Sequence, residues 1–101
     1  MRRVIWSADA RDDYLNILRY IAADNPVAAE TVADAIERTG NGLGKFATGR
    51  PGRVTGVYEK SIPRLPYIIA YQITRHEGQE VVAVLRIIHT SRDWPDEYWP
   101  E

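Results

Sequence analysis

The chain has 101 residues, 45% of them hydrophobic and 27% charged, with a formal net charge of -1 from 13 Lys and Arg against 14 Asp and Glu. This is the composition of one globular domain, residues 1–101, built around a single core. The absence of cysteine excludes disulfides, thiolate nucleophiles and Cys-ligated zinc and fits a cytoplasmic protein, no apolar run is long enough for a bilayer span, and the charge balance argues against a chain that works by gripping phosphates.

Arg2 to Trp6 reads as a short first strand. Ser7 follows as a helix N-cap, with Asp9, Asp12 and Asp13 in the first turns, where the helix dipole favours negative charge. Tyr14, Ile17, Leu18 and Ile21 recur at helical spacing, which predicts a first helix over 8–23. Asp24-Asn25-Pro26 then ends that helix and begins another, since Asn caps well and Pro suits the first helical position. Ala29, Val32, Ala33 and Ile36 form the second apolar stripe, and the short link makes the two helices an antiparallel hairpin. Gly40, Gly42 and Gly44 each cost roughly 1 kcal/mol against Ala in a helix, so the second helix is expected to end near Thr39, with Leu43 and Phe46 packing from an irregular tail.

Thr48 to Arg53 reads as a turn-rich loop. Three extended segments follow, Gly56 to Ile62, Tyr67 to Thr74 and Glu80 to His89, with Pro63 to Pro66 and His76 to Gln79 as their connections. The expected class is α+β: a βααβββ chain whose helical hairpin packs on one face of an antiparallel-rich sheet. Val81 to His89 is nearly all apolar and β-branched, as a strand covered on both faces requires. Strict alternation puts Arg86 on one face with Val82, Val84 and Ile88, and Leu85, Ile87 and His89 on the other. A cation inside so apolar a segment needs a partner or a route to solvent.

His89 and Arg92, at the exit of that strand, have the side chains for acid–base or phosphate chemistry. The spacing favours a purely structural corner, with His89 hydrogen-bonded and Arg92 paired to Asp93 or stacked on Trp94. His76 sits in a hairpin loop, and no third ligand makes the two histidines a metal site. From Lys45 to Arg64 five cations, Lys45, Arg50, Arg53, Lys60 and Arg64, face Glu59 alone, a local basic segment in a near-neutral protein. Gly49-Arg50-Pro51-Gly52 lacks the Gly-Lys-Ser/Thr ending and the flanking elements of a phosphate loop. Trp6, Trp94 and Trp99 read as core and tail anchors, with Tyr98 and Trp99 packing back onto the fold.

The motifs in succession are Trp6-Ser7-x-x-Ala10-x-x-Asp13, Tyr20-Ile21-Ala22, Asn25-Pro26-x-Ala28-Ala29, Gly49-Arg50-Pro51-Gly52-Arg53, Pro66-Tyr67-Ile68-Ile69-x-Tyr71 and Leu85-Arg86-Ile87-Ile88-His89-x-x-Arg92-x-Trp94-Pro95. Taken in order over nearly the whole chain, they closely resemble the ParE branch of the RelE/ParE toxins of type II toxin–antitoxin modules. The resemblance implies the family's βααβββ fold, no cofactor and no metal, and a growth-arresting toxin neutralised by a cognate, ParD-like antitoxin in a hetero-oligomer. It also implies DNA gyrase as the target, with no membrane and no sequence-specific nucleic acid as partner. RelE-like relatives instead cleave mRNA on the ribosome with basic residues, and Arg50, Arg53, Arg86 and His89 would be the candidates for such chemistry here; a non-toxic remnant that only binds its antitoxin is the other alternative. Tyr58 stands where many relatives carry arginine, so no role of that arginine transfers. The residues expected to meet the target are Arg50, Arg53, Arg86, His89, Arg92 and Trp94; an antitoxin helix is expected along Tyr14, Leu18, Ile21, Val32 and Ile36, with a further strand added to a free sheet edge.

Overall fold

The structure, a computed structural model, describes residues 1–91. Its elements are β1 (Arg3–Trp6), α1 (Ala8–Ala22), α2 (Pro26–Gly42), β2 (Arg50–Pro51), β3 (Tyr58–Ser61), β4 (Tyr67–His76) and β5 (Gln79–His89). They form the expected α+β fold, with one five-stranded sheet of order β1-β5-β4-β3-β2. The β5 strand is interior, but β4 holds the middle position. All neighbours are antiparallel except β1 and β5, which run parallel with Arg3 opposite Val81 and Trp6 opposite Val84.

Local chemistry sets the helix boundaries. Ser7 Oγ accepts from the Ala10 N–H at 3.0 Å, and Asn25 Oδ1 accepts from the Ala28 N–H at 3.0 Å in front of Pro26. Each cap satisfies an N–H that the helix itself leaves without an acceptor. The apolar stripes of both helices then face the sheet: Ala10, Val32, Ile36 and Leu43 share one core with Ile69, Tyr71, Val82, Val84 and Ile87. A smaller cluster, Val57, Ala70, Leu85 and Ile88, occupies the opposite sheet face, where Val54 also packs.

Three departures from the sequence reading have physical causes. First, α2 does not end at Thr39 but runs through Gly40 to Gly42. A Cβ on Gly40 would stand 2.4 Å from Trp6 Cζ2, and one on Gly44 would stand 2.4 Å from the Arg2 carbonyl oxygen. These glycines let β1 and the indole press against the end of the helix, and that packing offsets their poor propensity. Asn41 completes the contact by accepting from Trp6 Nε1 at 3.0 Å. Leu43 packs as expected, whereas Phe46 stays 67% exposed.

Second, the loop around Arg50 contains β2, whose two residues pair with Glu59 and Tyr58 of β3. The His76 to Gln79 loop shrinks in turn to Glu77 and Gly78, both at positive φ (54° and 79°), as a two-residue hairpin turn requires. Third, alternation along β5 is reset. Tyr71 lies opposite Val84 and Ala70 opposite Arg86, so Leu85 is an extra residue, a β-bulge. Ile87 consequently joins Val82 and Val84 beneath the helices, while Ile88 joins Leu85 on the far face. The unbroken period predicted the reverse for both isoleucines.

The glycine contacts separate two substitutions of identical chemistry. Gly40→Ala should cost about 2 kcal/mol, because the indole must move. Gly42→Ala, which meets nothing within 4 Å, should be neutral or stabilising by roughly 0.5–1 kcal/mol; urea unfolding midpoints of the two variants measure the difference.

Candidate partner-binding surfaces

The β1 strand stops opposite Val84, and from there the outer edge of β5 is met by the start of α1. The Ser7 N–H donates to the Val84 carbonyl at 2.9 Å, and the Ser7 hydroxyl donates to the Leu85 carbonyl at 2.9 Å. Nearly two turns further along α1, Asp13 Oδ2 accepts from the Ile87 N–H at 3.0 Å. The same carboxylate grips Arg86 through both oxygens, Nε to Oδ2 at 2.8 Å and Nη2 to Oδ1 at 3.0 Å. Arg86 and Asp13 are only 18% and 15% exposed at their side chains. The hydrogen bond to Asp13 outweighs burial and raises the guanidinium pKa above its ordinary value, so Arg86 is a fixed cation whose partner is Asp13.

His89 caps the same end of β5. Its Nδ1 accepts from the Ser91 N–H at 3.1 Å and lies 2.7 Å from the Ser91 hydroxyl, and its ring stands edge-on to Tyr67 with centroids 5.2 Å apart. With Nδ1 as acceptor, the neutral ring carries its proton on Nε2. Arg86 and His89, together with Asp13, Tyr20, Tyr67 and Ser91, line a groove of about 670 Å³ between α1 and the end of the sheet. The other two predicted exit residues, Arg92 and Trp94, and the tail anchors Tyr98 and Trp99 lie outside the described residues.

The loop arginines sit at the opposite side of the sheet. Glu59 on β3, 6% exposed, accepts from the Arg53 backbone N–H at 3.0 Å and from Arg53 Nε at 3.1 Å, both on Oε2. Gly52 makes room for this arrangement, since a Cβ there would lie 2.9 Å from the same carboxylate oxygen. Burial pushes the Glu59 carboxyl up, but the two Arg53 hydrogen bonds and the charges of Arg53 and Arg50 outweigh it, leaving its pKa below the ordinary 4.5. Arg50 lies opposite Glu59 in the ladder and is exposed. Strands β3 and β4 separate it from β5, a gap of about 14 Å at the usual interstrand spacing. Arg50 and Arg53 therefore do not converge with Arg86 and His89.

The predicted antitoxin seam is largely used by the protein itself. Ile36 and Val32 are 0% and 8% exposed, core residues that a partner cannot touch while the hairpin lies on its sheet. Tyr14, Leu18 and Ile21 are half-buried against that core. Tyr14 also donates to Glu37 at 2.7 Å across the hairpin, and burial together with that carboxylate pushes its pKa up to about 12. What the hairpin offers outward is Leu15, Tyr20 and Val27, 45%, 80% and 72% exposed. Among the described residues no group of three or more side chains could hold a metal ion, and no helix is long and apolar enough to cross a membrane.

The fold is a helical hairpin laid on a mixed sheet, in which Asp13 holds Arg86 of β5 and Glu59 of β3 holds Arg53. Residues 4–94 match the model of the ParE toxin of the type II toxin–antitoxin system parDE. Y4kP of Sinorhizobium fredii (strain NBRC 101917 / NGR234), provisionally designated a toxin, is 34% identical over 95 residues, covering 93% of this chain and 94% of that protein. A chain from the chromosomal ParDE system of P. aeruginosa superimposes with a TM-score of 0.81 at 22% identity, covering 90% and 98% of the two chains, and bears out the fold. The chain belongs to the ParE toxin family of type II toxin–antitoxin systems.

The functional groups that sequence reasoning missed are the two carboxylates. Asp13 appeared in the first motif but was assigned to the helix dipole, and Glu59 was noted only as the lone acid of a basic segment. Removing one member of the inner pair strands the other: Asp13→Ala should cost about 3 kcal/mol, and Asp13→Ala combined with Arg86→Met should recover part of it in the same denaturation assay. Glu59, with its folded pKa depressed, contributes stability that is complete above the unfolded value and is lost as the pH falls through the folded one. Glu59→Gln should therefore flatten the acid limb of a stability profile measured below pH 4.5.

Proposed function

We propose that this protein is a growth-arresting toxin that acts in the cytoplasm by binding DNA gyrase, without catalysis of its own, and is silenced by a ParD-like antitoxin in a hetero-oligomer. The observation that carries this reading is the disposition of the cations. A ribosome-dependent nuclease needs positive groups free to meet an RNA backbone and the charge that develops during cleavage. Here Arg86 is committed to Asp13 and Arg53 to Glu59, and the two pairs stand on separate parts of the sheet. Rigid, carboxylate-braced arginines with adjoining aromatic rings suit protein recognition, where preorganised Arg and Tyr anchors provide much of the affinity.

In this reading Arg50 and Arg53 at one end of the strand order and Arg86 and His89 on β5 are separate contact points for the target, and Arg92 and Trp94 are added to them on the sequence alone. The antitoxin helix runs along the half-exposed flank of Tyr14, Leu18 and Ile21, supported from beneath by Val32 and Ile36. The P. aeruginosa structure comes from a ParDE toxin–antitoxin system, which supports an antitoxin partner for this chain.

The test is a supercoiling assay with purified gyrase. The toxin should inhibit supercoiling or trap cleaved DNA, and Arg50→Glu, an exposed change, should weaken the effect about tenfold with an unchanged circular dichroism spectrum. Codon-positioned cuts in mRNA with gyrase untouched, abolished by His89→Ala in a folded protein, would overturn the proposal in favour of the nuclease.

A further inference from the structure

Neither surface described above includes the notch where α2 ends. Leu43 and Pro63 are among its walls, the Phe46 ring stands at its mouth, and its volume is about 230 Å³. Phe46 is the only phenylalanine in the chain, and it is 67% exposed. Burying that ring would contribute about 2 kcal/mol.

The charges around the notch are of one sign. Arg38 and Lys60 line it, and Lys45 Nζ lies 5.8 Å from the centre of the Phe46 ring. No carboxylate lines the notch. Arg38, Lys45 and Lys60 make no ion pair among the described residues, in contrast to Arg2, Arg53 and Arg86, which each hold a carboxylate. Nor are these cations needed to cap the helix. The Gly40, Asn41 and Gly42 carbonyls already accept from the Leu43, Gly44, Lys45 and Phe46 N–H groups.

We propose that this notch docks an acidic segment of a protein partner, with an apolar side chain seated against Phe46 and Leu43 and carboxylates facing Arg38, Lys45 and Lys60. Charge complementarity selects the occupant. A nucleic acid would lay a continuous run of phosphates across the neighbouring surface, and there Asp34 and Glu37 stand within about one helical turn of Arg38. A short peptide places a few carboxylates on the cations and avoids those acids. The notch has room for a bulky apolar side chain and its neighbours on one helix face, whereas it offers Phe46 alone as a surface for stacking bases. The inference holds whichever enzyme the toxin acts on.

The experiment uses the full chain and a fluorescein-labelled amphipathic peptide of about 12 residues, Leu and Phe on one face and Glu on the other. Anisotropy should report binding that Phe46→Ala and Arg38→Glu each weaken about tenfold, both being exposed changes whose folding is checked by circular dichroism. Amide shifts in the isotope-labelled protein should concentrate between Arg38 and Phe46 and at Lys60. Absence of binding, binding indifferent to both substitutions, or tighter binding of a single-stranded oligonucleotide of equal charge would overturn the proposal.

Discussion

The structure depends on what one carboxylate does at the end of β1. Where that strand stops, β5 continues with an unpartnered edge, an extra residue at Leu85 and a cation in its most apolar stretch. Asp13 answers the edge and the cation by accepting from the Ile87 N–H and from Nε and Nη2 of Arg86. Ser7 does the same for the Leu85 carbonyl while its Oγ caps α1. Each of these groups would otherwise be buried without a partner, at a cost of roughly 1–3 kcal/mol for a neutral group and more for a charged one. Because Asp13 belongs to α1 and its partners to β5, satisfying them also fixes the helical hairpin over the sheet. That placement puts Ile36 and Val32 in the core.

Glu59 applies the same physics to an irregular segment. The chain between β2 and β3 has little regular pairing, and a nearly buried carboxylate holds it through the Arg53 backbone and guanidinium. The hydroxyl of Tyr71 braces the approach to β2 by donating to the Thr48 carbonyl at 2.7 Å. Two arginines that a motif search would assign to chemistry are therefore parts of the scaffold as well. Their charge is presented in a fixed geometry and largely balanced by a neighbour. Such a surface can recognise a shaped partner at low entropic cost, but it is poorly placed to stabilise charge that appears only in a transition state.

The helices, their caps and the C-terminal meander were legible because their causes are local. Ser7 and Asn25 cap the turns beside them, Pro26 begins the helix it occupies, and the apolar stripes of α1 and α2 have the helical period. What was missed arises between residues far apart in sequence. Gly40 looks like a helix breaker until the Trp6 ring is set against it, and nothing near Gly40 announces that ring. The bulge at Leu85 is invisible to alternation, since a period of two holds only while the partner strand keeps step. Arg86 did advertise that it needed a partner, and Ser7-x-x-Ala10-x-x-Asp13 contained it, yet only the parallel docking of β1 on β5 brings the two together. The seam assigned to the antitoxin was read correctly as apolar, but its members Val32 and Ile36 face the protein's own sheet, because periodicity cannot tell whether a stripe faces a partner or its own core.

A net charge of -1 was a reason to set aside electrostatic recognition, and the structure narrows what that number excludes. Charges act over about 8 Å at physiological ionic strength, so a partner senses the local arrangement rather than the sum. The N-terminal turns of α1 carry Asp9, Asp12 and Asp13, while the end of α2 and its flank carry Arg38, Lys45 and Lys60. The paired arginines contribute little to this contrast, since Asp13 and Glu59 balance them at contact distance. Among the described residues, Arg38, Lys45 and Lys60 gather without an ion-paired carboxylate around Phe46, whose ring is 67% exposed. Near-neutrality therefore disfavours a partner that must be polyanionic along its whole length, and it leaves open one whose acidic and apolar groups alternate on the scale of a single helix face.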